Sequence, residues 1–176
     1  MRTLPGKTVM VLMIVLMVLM LTLMIVMSLR ADGEEKAPPP GTGGAGHVMR
    51  FTPAELTWLG GPPMLPPGAS MAVIEGSFNK PGPFIVRLKF PANYRIPAHW
   101  HPIKVTVTVI SGTFNMGLGD KLDSEKGKAL PAGSIFEMPA RIHHFGWASE
   151  ETIIQEHGIG PLSVNYLHRA DDPQHK

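Results

Sequence analysis

The sequence predicts an all-β domain behind an apolar N-terminal helix, on three observations. After Gly46 the chain is a succession of short apolar runs broken at close intervals by Pro and Gly. The breaks carry turn chemistry, as in Asn79-Lys80-Pro81-Gly82, Ser111-Gly112, Gly117-Leu118-Gly119-Asp120 and Pro131-Ala132-Gly133. No stretch beyond Gly46 keeps a helical period for long. Short strands at this spacing imply an antiparallel sandwich or barrel.

The first element is the apolar one. Residues 8–29 are almost entirely Val, Leu, Ile and Met, and seven of the twelve methionines fall at or before Met27. Bulk composition therefore averages two different materials. Val9 to Leu29 is 21 residues, enough to cross a hydrocarbon core of about 30 Å as a helix. Arg2 and Lys7 precede it and favour a cytoplasmic N-terminus. Residues 1–30 read as a signal anchor; a cleaved signal peptide is the alternative, with Val26-Met27-Ser28 as a small-residue cleavage site. In either case the remainder is exported. It is held at the cell envelope by residues 8–29, or released to the periplasm or outside.

Residues 31–46, ADGEEKAPPPGTGGAG, hold no apolar side chain larger than alanine and read as a flexible linker. The folded domain is expected over 47–170, with 171–176 as a disordered tail. Thr52-Pro53-Ala54-Glu55-Leu56 can open one helical turn, with Thr52 as N-cap and Glu55 closing a capping box. Strands are then expected at 72–74, 84–90, 105–110, 113–116, 135–138, 145–148, 152–156 and 164–167.

With 176 residues the chain has room for one domain with a proper core. The formal charge is +2 and no Lys/Arg stripe is interleaved with aromatics, so nucleic acid is not an expected partner. Cysteine is absent, which removes disulfides, thiolate ligands and a Cys nucleophile together. Any metal chemistry falls to His, Asp and Glu. No Ser/His/Asp arrangement is evident, and Gly43-Gly44-Ala45-Gly46 precedes no helix that could cradle phosphate.

The pattern that carries chemistry is His99-Trp100-His101, joined later by Pro139-Ala140-Arg141-Ile142-His143-His144. Histidines at i and i+2 of an extended segment share a face, and a third from another strand can complete one side of a coordination sphere. Imidazole suits Fe, Zn, Ni and Cu, so the pattern points to a metal without choosing it. Strand period puts His99, His101, Ile103, Val105, Val107 and Val109 on one face, with Lys104, Thr106 and Thr108 on the other.

His99-Trp100-His101-Pro102 followed by Val107-Thr108-Val109-Ile110-Ser111-Gly112 resembles the first motif of the cupin superfamily. Gly133, Pro139, Arg141 and His144 resemble the second. The resemblance covers about residues 50–168 and implies one small jelly-roll β-barrel, with His99, His101 and His144 pointing inward to bind a divalent ion (Fe, Mn, Zn or Ni). It also implies a homodimer. Two departures stand out: Val105 fills the slot where cupins place a metal-binding Glu, and Arg141 stands where the second motif has Gly.

Glu137 and Glu156 are candidate replacement carboxylates, for which a solvated position is the simpler expectation. His157 is a candidate fourth ligand or acid–base group; Gln155 shares its strand face, and Glu156 takes the other. His143 should face away from His144, and His47, His168 and His175 carry no site signal. Trp58, Trp100 and Trp147 read as packing. Arg87 and Arg95 could orient a carboxylate ligand, with surface solvation the simpler account. Two functions fit. One is a metal-dependent enzyme acting on a small molecule, as an oxygenase-like oxidoreductase or a Lewis-acid isomerase or hydrolase. The other is a non-catalytic small-molecule binding or sensor module.

Overall fold

The computed structural model describes Met10, residues 14–24 and residues 48–175, and the chain divides into two compact units, Met1–Met49 and Arg50–Lys176. In the first unit residues 14–24 are helical. Among the described residues no helix is long and apolar enough to cross a membrane. The ends of the expected 8–29 span, the linker at 31–46 and His47 lie outside the described residues.

The second unit opens with a single 3-10 turn, Pro53–Glu55, where the Glu55 carboxylate accepts from the Thr52 backbone N–H at 2.7 Å and hydroxyl at 2.8 Å. The expected N-terminal cap is therefore present. The strands are β1 (Leu59–Gly60), β2 (Ser70–Gly76), β3 (Gly82–Phe90), β4 (Tyr94–Trp100), β5 (Val105–Ser111), β6 (Thr113–Leu118), β7 (Gly127–Pro131), β8 (Ile135–Met138), β9 (His144–Ala148), β10 (Thr152–Gly160) and β11 (Asn165–Tyr166). They form a six-stranded sheet, β1-β2-β3-β10-β5-β8, and a five-stranded sheet, β11-β4-β9-β6-β7. All pairings are antiparallel.

Alternation builds the core. On β3, Phe84, Val86, Leu88 and Phe90 are buried while Arg87 and Lys89 turn outward, the two-residue period of a half-buried strand. Both sheets contribute to one cluster, where Phe90 stacks on Tyr94 at 4.9 Å and on Phe114 at 5.9 Å. This is the two-sheet barrel that the turn spacing predicts.

Several expectations need correction. β1, β4 and β7 are not among the expected strands. β1 is only two residues long, Arg95 and Pro97 disguise β4, and β7 buries only Leu130. The continuous face from His99 to Val109 is two pieces. β4 ends at Trp100 in the five-stranded sheet, and β5 begins at Val105 in the other. Pro102 between them has no N–H to continue a ladder. Val105 still faces the core, 1% exposed, but it does so from the opposite wall. Of the expected tail at 171–176, the described residues form parts of two 3-10 turns, Arg169–Asp171 and Pro173–His175.

Candidate metal centre

The histidines reach one point through a change of phase in β4. Tyr94 and Ile96 are inward and buried, then the register against β9 shifts between Ile96 and His99. An extra residue in one strand moves the inward face from even to odd positions, so His99 and His101 follow Ile96 into the barrel. The register sets His99 directly opposite His144 at the start of β9. His101 lies just beyond β4, where its carbonyl accepts from the Arg141 N–H at 2.8 Å. That bond ties the two histidine-bearing segments together. Arg141 has φ 64°, so the position where the second motif has Gly does adopt a left-handed conformation.

All three imidazoles are buried, at 5%, 7% and 7% exposure for His99, His101 and His144. Their ring centroids are 4.1 Å apart for His99–His144, 4.9 Å for His99–His101 and 5.0 Å for His101–His144. One ligand nitrogen from each lies within 4.8 Å of the others. Each Nδ1 meets a backbone carbonyl: His99 with Pro97 at 2.7 Å, His101 with Ser163 at 2.8 Å, His144 with Ile142 at 2.9 Å. A carbonyl only accepts, so every Nδ1 carries the proton and every Nε2 is left as a lone pair. Burial lowers all three pKa values, His144 to about 4, and for His99 the neighbouring His144 and His101 add to it. The rings are therefore neutral at pH 7, the ligating form. Three neutral imidazoles, each oriented by a second hydrogen bond and presenting Nε2 to a common point, fit a divalent ion.

The site opens on a cavity of about 50 Å³ between the sheets, with room for more than one water. Its lining includes Val86, Leu88, Val105, Val107, Phe136 and Ile154. Beside the three histidines, the one polar side chain lining this cavity among the described residues is Glu156. Burial pushes its carboxyl up to about 7.

Glu156 is a candidate carboxylate of the sequence for which solvent is the simpler expectation, and it instead lines the cavity. His157 is the matching correction: it is exposed on the outer face of β10 and takes no part in the site. Strand alternation is obeyed, but the apolar residues of Thr152–Gly160 fall on both parities, with Ile153 and Ile159 on one and Ile154 on the other. Nothing local says which face is inside.

The other candidates settle plainly. Glu137 is exposed and pairs with Lys104 at 3.0 Å. His143 points away from the site and meets Asp120 at 2.7 Å. His168 and His175 are exposed. Trp58 packs under Lys89, Trp100 under Arg141, and Trp147 against Phe145. Arg87 bonds Gln155 across the outer face of its sheet, and Arg95 is exposed; neither lines the cavity.

No family model and no curated protein matches the sequence. Solved structures do match. The chain is similar to an RmlC-like cupin protein from Ralstonia eutropha, with 20% identity over 67% of this chain and 72% of that one and a TM-score of 0.52. It is also similar to KdgF from Halomonas sp. (20% identity, 65% and 96% coverage, TM-score 0.49). A salicylate 1,2-dioxygenase from Pseudaminobacter salicylatoxidans matches at 12% identity, over 59% of this chain and 32% of that one, with a TM-score of 0.47. Similarity at this level carries a fold and not a chemistry.

Proposed function

With residues 50–176 a cupin barrel by fold, we propose that the protein holds a divalent metal ion on His99, His101 and His144 and binds a small molecule in the adjoining cavity. The observation that carries this reading is the common orientation of the three rings. Each Nδ1 is committed to a carbonyl, so three Nε2 lone pairs converge with no proton between them. Burying three polar rings together costs stability unless they share a partner. Bound there, a divalent ion supplies Lewis acidity, and a redox-active one supplies oxygen chemistry as well.

The chain's own groups then divide the work. The carbonyls of Pro97, Ser163 and Ile142 hold the imidazoles in one tautomer. The apolar lining excludes bulk water and favours a ligand with a hydrocarbon body. Val105 leaves the carboxylate slot of the first motif apolar. A three-histidine sphere adds no negative charge, so it favours anionic donors in its open positions. The reaction we favour is oxidation or Lewis-acid conversion of that small molecule. The apolar Val105 also supports a second reading, a barrel that binds its ligand without turning it over.

Metal analysis of the full-length protein purified in detergent is the test. Wild type is expected to bind one equivalent of Fe(II), Mn(II), Zn(II) or Ni(II). His99→Ala, His101→Ala and His144→Ala should each weaken binding by at least about tenfold. Wild-type affinity surviving loss of His144 would end the three-histidine reading. Absence of any bound or rebound metal in wild type would leave the binding-module reading. The 21-residue apolar run at 9–29 supports a further part of the proposal: the domain is exported and anchored at the envelope by residues 8–29. A homodimer is the expected assembly.

A further inference from the structure

We propose that Glu156 is the second polar anchor of the cavity: it hydrogen-bonds the far end of a small, largely apolar ligand whose near end meets the three-histidine group. The inference rests on the three-histidine reading for the near end. It commits to a ligand class: a short molecule with an anionic donor at one end and a hydroxyl or amine at the other.

The geometry is that of two facing walls. His99 and His144 stand on the five-stranded sheet, with His101 just beyond β4, and Glu156 stands on β10 of the six-stranded sheet. In register Glu156 lies between Val86 of β3 and Val107 of β5, both lining the cavity. Glu156 is not part of the group whose ligand atoms cluster within 4.8 Å. Its carboxylate is therefore not within 4.8 Å of all three imidazole nitrogens at once. From the five-stranded sheet the titratable groups lining its cavity are the three imidazoles. Among the described residues β3, β5 and β6 present only apolar side chains to it. Arg87, Gln155 and His157 lie on the outer face and do not reach it.

No protein hydrogen bond reaches the half-buried Glu156 carboxyl among the described residues, and its oxygens keep accessible surface in the cavity. In an apolar chamber such a carboxyl gains from a hydrogen-bonding partner. Packing alone would be better served by leucine. A ligand hydroxyl or amine supplies the missing partner. Close to neutral pH the carboxyl is available in both protonation states. It can thus donate to a ligand oxygen, accept from a ligand hydroxyl, or exchange a proton with either.

The test uses the full-length protein in detergent, loaded with Zn(II). The probes are glycolate, 3-hydroxypropionate and 4-hydroxybutyrate, each against acetate, propionate and butyrate respectively. Wild type is expected to prefer at least one hydroxy acid by about tenfold, the worth of one hydrogen bond to a charged group. Glu156→Leu should abolish that preference. Glu156→Gln, which keeps shape and hydrogen bonding, should keep most of it and lose its pH dependence. Both variants should hold Zn(II) within about threefold of wild type.

No preference in wild type, or a preference surviving in Glu156→Leu, overturns the proposal. Loss of Zn(II) from either variant makes Glu156 a metal ligand and also overturns it, while the histidines keep their role. If wild type itself takes no Zn(II), the three-histidine reading fails separately. The anchor is then judged on metal-free protein by isotope-edited infrared spectroscopy. A protonated-carboxyl band that titrates near neutrality and is absent from Glu156→Gln supports it. A carboxyl ionised well below neutrality overturns it.

Discussion

A carboxyl that burial has pushed from 4.5 up to about 7 keeps its proton in the folded chain over a range where the unfolded chain has lost it. Between those two values the folded state binds more protons, so stability falls as pH rises through the window and is level above it. The three histidines shift the other way and add their own acid-side loss, but they are common to wild type and a Glu156 variant and cancel in the difference. Glu156→Gln should therefore match metal-free wild type at pH about 4 and exceed it by about 3 kcal/mol at pH about 8. Denaturant melts at the two pH values check this, and parallel curves would place the carboxyl in solvent. The metal-ligand candidates were legible at this scale because His-x-His spacing declares a shared strand face. The partners that orient them were not, since the Ser163 carbonyl that holds His101 lies 62 residues along the chain.

Turns and strand phase decide what reaches the site at the scale of elements. Arg141 sits at φ 64°, three residues before His144, and its N–H bonds the His101 carbonyl at 2.8 Å. A left-handed residue with a Cβ costs about 1 kcal/mol or more, and glycine removes that cost. Arg141→Gly also loses the guanidinium over Trp100 at 5.7 Å and frees the unfolded chain, each worth about 0.5–1 kcal/mol. Its stability is expected within about 1 kcal/mol of wild type. Arg141→Val, β-branched in the same conformation, should cost about 2 kcal/mol and weaken metal binding as the turn relaxes. Equal melting temperatures for the two variants would mean the turn is not under this constraint. Turn chemistry and apolar runs made most strands legible; β8 at Ile135–Met138 matches its expected bounds. Phase was the part that could not be read. A register shift in β4 and mixed parity in β10 each depend on the partner strand, and they decide the facing of His99 and Glu156. No single-strand pattern contains that information.

The whole chain is two units of unlike composition, and their separability is testable. The Arg50–Lys176 unit has its own core drawn from both sheets. By sequence, residues 31–46 offer no apolar side chain larger than alanine to pack on it, but they do offer a tryptic bond after Lys36, and Arg30 just precedes them. A domain that buries its own apolar surface does not depend on such a segment for stability. Brief trypsin treatment of full-length protein in detergent should cut there first and release the barrel into the aqueous phase. The released domain should melt at the same temperature as the intact protein and bind metal with the same affinity. Under the proposed anchoring by residues 8–29, the apolar fragment should stay with the detergent, and in cells the uncut protein should fractionate with membranes. A mature chain starting near Leu29 or Asp32 in the soluble exported fraction would show that the segment is a cleaved signal. A large drop in melting temperature after cleavage would mean instead that residues before 50 pack on the barrel. The two results are independent: the first concerns whether residues 8–29 anchor the chain, the second whether the barrel is stable without the residues that precede the cut.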